Sequence, residues 1–431
     1  MARFALSLGS MRPVRAALWA ALCLSAISCG GGSDTVAPST SSSSSGGGST
    51  TPTSNVVSVV VDAGPTLNSA DVNTLFTTVT LCVPGSTTNC QTIDHIQVDT
   101  GSFGLRILSS VLTLTLPVQT TSTGASLLEC TAFVDGYSWG PVALADVQIS
   151  GESASSLPIQ VIGDPNFSSV PDDCSSVGPA EDTVVAFGAN GILGIGVFAQ
   201  DCGPNCVTIA EPQTYYACTS STVCQATTVA LANQVANPIT FFTTDNNGVI
   251  IQLPSVAANG AATVTGSMIF GIDTQSNNKS GSQSILTVVG SFGNPGQYPG
   301  TFTTLFNGQS LAQSFLDTGS NGLYFDDTSI AVCTETNFTD FYCPASTQNL
   351  TATLQGQNDV SASASFSVAN AETLGADDVS LIAFATLAGP YPTAADTESF
   401  DWGLPFYYGR TVYTAIEDAT TSVGTGPYVA F

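Results

Sequence analysis

From residue 55 to the C-terminal Phe431, short apolar runs alternate with turn-forming residues. Runs rich in Val, Ile, Thr and Phe, as at 55–62, 75–83, 142–149 and 263–269, are bounded by Gly, Asn and Pro. β-Branched and aromatic side chains suit a pleated, half-buried surface, whereas Gly, Asn and Pro supply turn backbone. The pattern predicts an all-β protein, mainly strands with few short helices, whose antiparallel sheets pack around one core per half. Helical periodicity is confined to a short segment near 228–237.

Ahead of residue 55 the pattern changes twice. Arg12 and Arg15 precede a twelve-residue apolar run, 16–27, which ends at Ser28-Cys29-Gly30. A cationic flank, a short apolar run and a small residue make a secretory signal peptide over 1–28, and the run is too short to span a bilayer. Cys29 stands where the lipobox of bacterial lipoproteins, which this junction resembles, carries its lipidated cysteine. That resemblance implies an anchor at Cys29, with Gly30 directing the protein to the outer membrane. Ordinary cleavage leaving a free N-terminal Cys is the alternative. Residues 29–54 are then a Gly/Ser/Thr/Pro tether that cannot bury enough surface to fold.

Composition narrows the function classes. With 43% hydrophobic residues and only 9% charged ones, the chain has material for a large core. Six basic residues face thirty-two acidic ones, and three of the six, Arg3, Arg12 and Arg15, lie in the signal segment. The remainder, three cations against thirty-two acids, carries −29. Such a field repels phosphate backbones and anionic headgroups, which excludes nucleic acid as a partner and limits membrane contact to the N-terminal lipid.

Beyond Cys23 and Cys29, ten cysteines remain, an even number that in an exported chain favours disulfides. Short separations suggest Cys82-Cys90, Cys202-Cys206, Cys218-Cys224 and Cys333-Cys343, leaving Cys130-Cys174, although sequence alone does not determine connectivity. There is no CxxC, and His95 is the single histidine, so neither metal nor cofactor is expected.

An internal repeat carries the chemistry. Asp99-Thr100-Gly101-Ser102-Phe103-Gly104-Leu105 recurs as Asp317-Thr318-Gly319-Ser320-Asn321-Gly322-Leu323, identical at six of seven positions, and each copy follows an apolar strand end. A single Asp-Thr-Gly-Ser reads as an ordinary turn. A second, nearly identical copy 218 residues later is not explained by turn chemistry.

The twin motif resembles the two-lobed, pepsin-like aspartic peptidases, in which each lobe supplies one Asp-Thr/Ser-Gly loop. The likeness extends to Ile192-Leu193-Gly194, 95 residues after Asp99, and to Trp402-Gly403, 86 residues after Asp317, within the run from Phe400 to Tyr408. Phe270-Gly271-Ile272-Asp273 resembles the end of the first lobe, and Leu305-Phe306-Asn307-Gly308-Gln309-Ser310 the hairpin before the second loop. The resemblance implies a bilobal double β-barrel with the active cleft between an N-terminal lobe, 55–275, and a C-terminal lobe, 276–431. The lipobox, tether and twin motif together are also similar to a family of Gram-negative lipoproteins of unknown function.

By the same resemblance Asp99 and Asp317 form the catalytic pair, since two carboxylates about 3 Å apart share one proton and can act as base and acid on a water and a carbonyl. Thr100 and Thr318 brace the loops, Ser102 and Ser320 bond the outer carboxylate oxygens, and Gly101 and Gly319 permit close backbone approach. Counting back from Val147-Gln148-Ile149 puts Phe133 at the position of the family's flap tyrosine, with Tyr137 and Trp139 as weaker flap or substrate-binding candidates and as packing aromatics otherwise. Arg106 replaces the usual aromatic, either to recognise a substrate carboxylate or to pair with one of the many acids. His95 reads as a packing or edge residue.

Two functions from different classes fit. The first is a monomeric aspartic endopeptidase acting on peptides or proteins, exported and lipid-anchored to the outer membrane of a Gram-negative bacterium, periplasmic or surface-facing. The second is a catalytically silent module binding peptides or a cell-envelope polymer in the same cleft. A purely structural surface protein leaves the paired loops unexplained. Residues 30–54 contain no Lys or Arg, which argues against a cationic prosegment.

Overall fold

The computed structural model describes residues 55–66, 72–291, 298–377, 380–392 and 398–431. The signal segment, Cys29 and the tether lie outside the described residues.

Strand Leu75–Cys82 pairs with Cys90–Asp99 on one side and Tyr137–Ile149 on the other. Gly191–Ile195, Phe103–Leu108 and Glu152–Ile162 complete the circuit, closing a six-stranded barrel. Its interior comes from alternate positions: Val79 and Leu81, Ile96 and Val98, Leu105 and Ile107, and Leu193 and Ile195 are all buried in one cluster. The spacing of two places each pair on the same face, and closure leaves these strands without a free edge.

A second, nearly closed barrel follows, built from Ser361–Val368, Gln348–Gln355, Phe302–Phe306, Gln309–Leu316, Phe400–Trp402, Leu323–Phe325 and Ala388–Gly389 in that spatial order. The expected hairpin is present: Asn307 and Gly308, at φ 49° and 76°, turn Phe302–Phe306 into Gln309–Leu316. Aromatic rings fill this barrel, with Phe400 stacked between Phe325 at 4.6 Å and Trp402 at 4.0 Å. Joined to the first barrel by the pairing of Val56–Val61 with Leu75–Cys82 is an antiparallel platform of Val56–Val61, Val264–Phe270, Gly248–Gln252, Thr411–Ala415, Tyr428–Ala430 and Ile285–Thr287.

Three expectations are corrected. The sheets are mixed, because Gly191–Ile195 and Phe400–Trp402 each insert between the two arms of a loop and must run parallel to one arm and antiparallel to the other. The largest core cluster is not confined to one half, since the platform interleaves strands from both. No helix spans 228–237, where one 3₁₀ turn, Leu231–Asn233, is found. There the Val235 amide donates to the Tyr215 hydroxyl at 2.7 Å and the Asn237 amide to the Ala199 carbonyl at 2.9 Å, so tertiary partners replace helical ones.

Five disulfides join Cys82 to Cys90, Cys130 to Cys174, Cys202 to Cys206, Cys218 to Cys224 and Cys333 to Cys343. Four are the pairs expected from short separations, and Cys130 to Cys174, 44 residues apart, is the pair that those four left over. Among the described residues no helix is long and apolar enough to cross a membrane.

Candidate active site

The two copies of the repeat occupy equivalent places in the two barrels. Cys90–Asp99 delivers Asp99 beside Gly194, and the chain returns along the other side of the same strand, with Phe103 opposite Ile195. In the second barrel Leu316 lies beside Trp402, and Leu323 returns opposite the same residue. Each loop is therefore draped over one central strand. A side chain at Gly194 would come within 2.6 Å of the Phe103 nitrogen, and one at Gly403 would press on the Gly322 carbonyl, so only hydrogen fits at either crossing.

The two loops meet, and Asp99 and Asp317 are both fully buried. In the first, the Gly101 amide donates to Asp99 Oδ1 at 2.7 Å and the Ser102 hydroxyl donates to Oδ2. In the second, the Gly319 amide donates to Asp317 Oδ1 at 2.7 Å and the Ser320 hydroxyl to Oδ2 at 3.0 Å. A Cβ on Gly101 would fall 2.6 Å from the Asp317 carboxyl carbon, and one on Gly319 would fall 2.7 Å from Asp99 Oδ1. Each carboxylate thus lies against the glycine of the opposite loop.

The threonines cross-brace this junction reciprocally. The Thr100 amide donates to Thr318 Oγ1 at 3.1 Å and the Thr318 amide to Thr100 Oγ1 at 3.0 Å. The same hydroxyls reach back into the opposite strand, Thr100 to the Leu316 carbonyl at 3.2 Å and Thr318 to the Val98 carbonyl at 2.7 Å. Gln97 Nε2 adds a bond to the Gly319 carbonyl at 3.1 Å, and the Tyr407 hydroxyl lies 2.9 Å from Thr100 Oγ1. Buried polar groups held by several fixed partners have little freedom to separate.

Burial first, then the charge of Asp99 and that of Asp401, raises Asp317 well above the ordinary carboxylate range. Two carboxyls so close cannot both ionise cheaply, so the pair retains a proton at pH values where isolated carboxyls have lost theirs.

The residues expected near a flap serve another purpose. Ser126–Ala132 and Tyr137–Ile149 form a hairpin whose tip closes with the Phe133 amide on the Gly136 carbonyl at 2.8 Å. Phe133 packs edge-on against Phe187 at 6.1 Å. Trp139 packs on Tyr216 at 5.3 Å and donates to the Phe167 carbonyl at 2.8 Å. Tyr137 exchanges backbone bonds with Pro179 and Glu181, and Cys130 is tied to Cys174 in the same region. All three aromatics are buried. Tyr137 and Trp139 pin the hairpin to the 165–181 segment, and Phe133 packs in a neighbouring cluster with Phe187 instead of lining an open surface.

Arg106 is likewise fully buried. Nη2 meets Glu129 Oε1 at 2.6 Å and Asp201 Oδ2 at 3.4 Å, Nε donates to Thr131 Oγ1 at 3.0 Å, and Nη1 to the Phe103 carbonyl at 2.8 Å. Its donors are engaged internally, which favours pairing over recognition of a substrate carboxylate. Burial, and then Glu129, raises Asp201 well above its usual range, and Tyr215 donates to Asp201 Oδ1 at 2.7 Å. His95 sits edge-on to Phe76 at 5.2 Å and within 3.2 Å of Asp62, away from the loops.

The chain belongs to the DUF3443 family. That family, described as a protein of unknown function, matches residues 51–431 and so spans both loops and both barrels. No curated protein matches the chain.

In this DUF3443 chain one group beside the loops escaped the reading of the motifs. Asp401, on Phe400–Trp402, is fully buried, and burial, with a further contribution from Asp99, raises it well above the carboxylate range. The signal was in the sequence: two residues before the crossing glycine the first barrel has Ile192, whereas the second has Asp401. Asn73 was missed too. Its side chain donates to the Asn321 and Phe384 carbonyls at 2.7 and 2.9 Å, tying the N-terminal half to the second loop.

Proposed function

We propose that the protein is an aspartic endopeptidase with Asp99 and Asp317 as its catalytic pair. The observation that carries the reading is the reciprocal meeting of two identical Asp-Thr-Gly-Ser loops, each carboxylate held by an amide and a hydroxyl of its own loop and facing the glycine of the other. A turn repeated for structural reasons does not require buried carboxylates at its centre.

With one proton shared, the ionised carboxylate removes a proton from water as the water oxygen bonds to the scissile carbonyl carbon. The protonated carboxyl gives its proton to the carbonyl oxygen, producing a tetrahedral diol. As the carbon–nitrogen bond breaks, one diol hydroxyl returns its proton to the ionised carboxylate and the nitrogen takes the proton of the other carboxyl, so the pair is left with one proton, ready for the next cycle. The pepsin dyad is the general precedent for this sequence of steps. On the same reading the protein is an exported monomer anchored through Cys29 to the outer membrane of a Gram-negative bacterium, acting on peptides or proteins without metal or cofactor.

A second reading, a silent binding module with the same cleft, is favoured by the pinned hairpin, because closure over substrate requires a lid that moves. Digestion of a peptide library across acidic to neutral pH separates the two. The peptidase cleaves in the acid range and is blocked by a statine-like mimic whose hydroxyl replaces the attacking water. Peptide binding without cleavage at any pH establishes the binding module instead.

A further inference from the structure

The two loop-and-strand units are nearly symmetric, and the place where they differ is beside the active pair. Phe400 and Trp402 stack on each other at 4.0 Å inside the second barrel, so Asp401 between them faces the opposite side of the strand, toward the Asp317 loop. It pairs across the backbone with Phe315 on one side and Tyr324 on the other. In the first barrel the equivalent position, paired with Gln97, is Ile192. An apolar side chain therefore satisfies the packing, and an acid there calls for another reason.

Neither carboxyl oxygen of Asp401 completes a hydrogen bond, although the residue is fully buried. Ser320 is close enough to favour the ionised form, but its hydroxyl is turned onto Asp317 Oδ2 at 3.0 Å. The other titratable groups around Asp401 are Asp99, Asp317 and the hydroxyls of Tyr324 and Tyr407, with Asp340 and Asp135 beyond Tyr324. None is a cation. A buried carboxylate that faces acids, phenols and one serine hydroxyl already given to Asp317 has little to offset its desolvation, whereas a neutral carboxyl needs only an acceptor for its proton. A serine oxygen that is already donating still has lone pairs to accept with.

We propose that Asp401 is a positioning residue of the pair: kept as a neutral acid, it donates to Ser320 Oγ and so holds the Ser320 hydroxyl on Asp317 Oδ2. Ionised, Asp401 would attract that hydroxyl to itself and strip Asp317 of its outer donor. The device exists in one loop only, and it makes the second carboxyl sensitive to a third proton. This inference deepens the peptidase reading and rests on it for the kinetic arm of its test alone.

The charge of the folded protein tests the protonation state independently of activity. At pH 6, wild type and Asp401→Asn should show the same net charge by capillary electrophoresis. A wild type more negative by one unit means that Asp401 is ionised, and overturns the proposal. In thermal unfolding, Asp401→Ile and Ser320→Ala should be non-additive, since they break one chain of bonds, while Asp401→Asn, whose amide can also donate to Ser320, should restore most of the coupling. Full additivity overturns it. If the protein cleaves peptides, Asp401→Ile should lower kcat about tenfold, the scale of one net hydrogen bond, with KM little changed and the fall in rate at high pH displaced. A pH profile identical to wild type rejects the coupling, whereas absence of cleavage in every variant rejects the peptidase reading and leaves the charge and coupling measurements decisive.

Discussion

Asp99 and Asp317 each have an intact set of donors, so removing one carboxylate leaves the other well held. Asp99→Asn and Asp317→Asn should each abolish turnover, because a shared proton needs two carboxyls, yet both variants should fold, since an amide nearly matches a carboxylate in shape. Their unfolding temperatures should be close to wild type or above it, because like-charge strain is relieved. Cleavage that survives either substitution would show that the loops are not the active site. Arg106 makes a contrasting case. Glu129→Ala leaves a buried guanidinium without its closest partner, 2.6 Å away, and should cost about 3–5 kcal/mol in denaturant unfolding. A loss below about 1 kcal/mol would mean that Asp201 alone can carry the charge.

Among the elements, a loop and a crossing strand repeat as one unit, and the crossing requires glycine. Gly194→Ala sets a methyl group against the Phe103 backbone, which cannot move aside as a flexible side chain could. The expected loss exceeds about 2 kcal/mol and brings with it the loss of any activity, read by thermal unfolding and peptide cleavage together. The hairpin 126–149 is held instead by a covalent tie. Cys130–Cys174 closes a separation of 44 residues, for which chain entropy allows up to about 4 kcal/mol of stabilisation. Replacing both cysteines with Ser should raise hydrogen exchange at 132–137 ahead of the barrel strands. If cleavage increases as exchange rises, the pinned hairpin is a restraint on an enzyme; unchanged cleavage would make it scaffold only.

For the molecule as a whole, pH acts in one direction on several buried acids. A carboxyl that binds its proton more tightly when folded contributes fully below the ordinary carboxylate range, and the contribution is lost as pH rises through the shifted value. Asp317 and Asp401 are both raised, and Glu152, buried beside Asp245, is pushed up to about 7, by burial first and then by that neighbour. Self-repulsion among thirty-two acids works in the same sense. The unfolding temperature should therefore be highest in mild acid and decline toward neutrality. Glu152→Gln should flatten the decline between about pH 4.5 and 7, and a parallel profile for the variant would place the loss elsewhere. If Cys29 carries the lipid that the lipobox resemblance implies, Cys29→Ser should release the protein from the membrane fraction without changing its unfolding temperature.

Much of this was legible from residue order. Period-two apolar runs and turn formers indicate strands wherever they occur, close cysteine spacing limits which thiols can meet, and a seven-residue repeat marks two equivalent loops whatever lies between them. The parallel pairings and the core shared by both halves were not legible, because alternation describes which residues share a face and not which strand lies alongside. Nor could residue order show that Phe133, Tyr137 and Trp139 would face a packed segment, or that Arg106 would find Glu129 and Asp201 from strands and loops distant in sequence. Asp401 makes the division plain. Its replacement of an apolar residue is visible in the sequence, but that the described groups around it include no cation is not, since that depends on Phe400–Trp402 threading between the arms of the Asp317 loop. Local pattern determined which residues could form the strands and the paired loops, and tertiary packing decided which charges were left buried beside them.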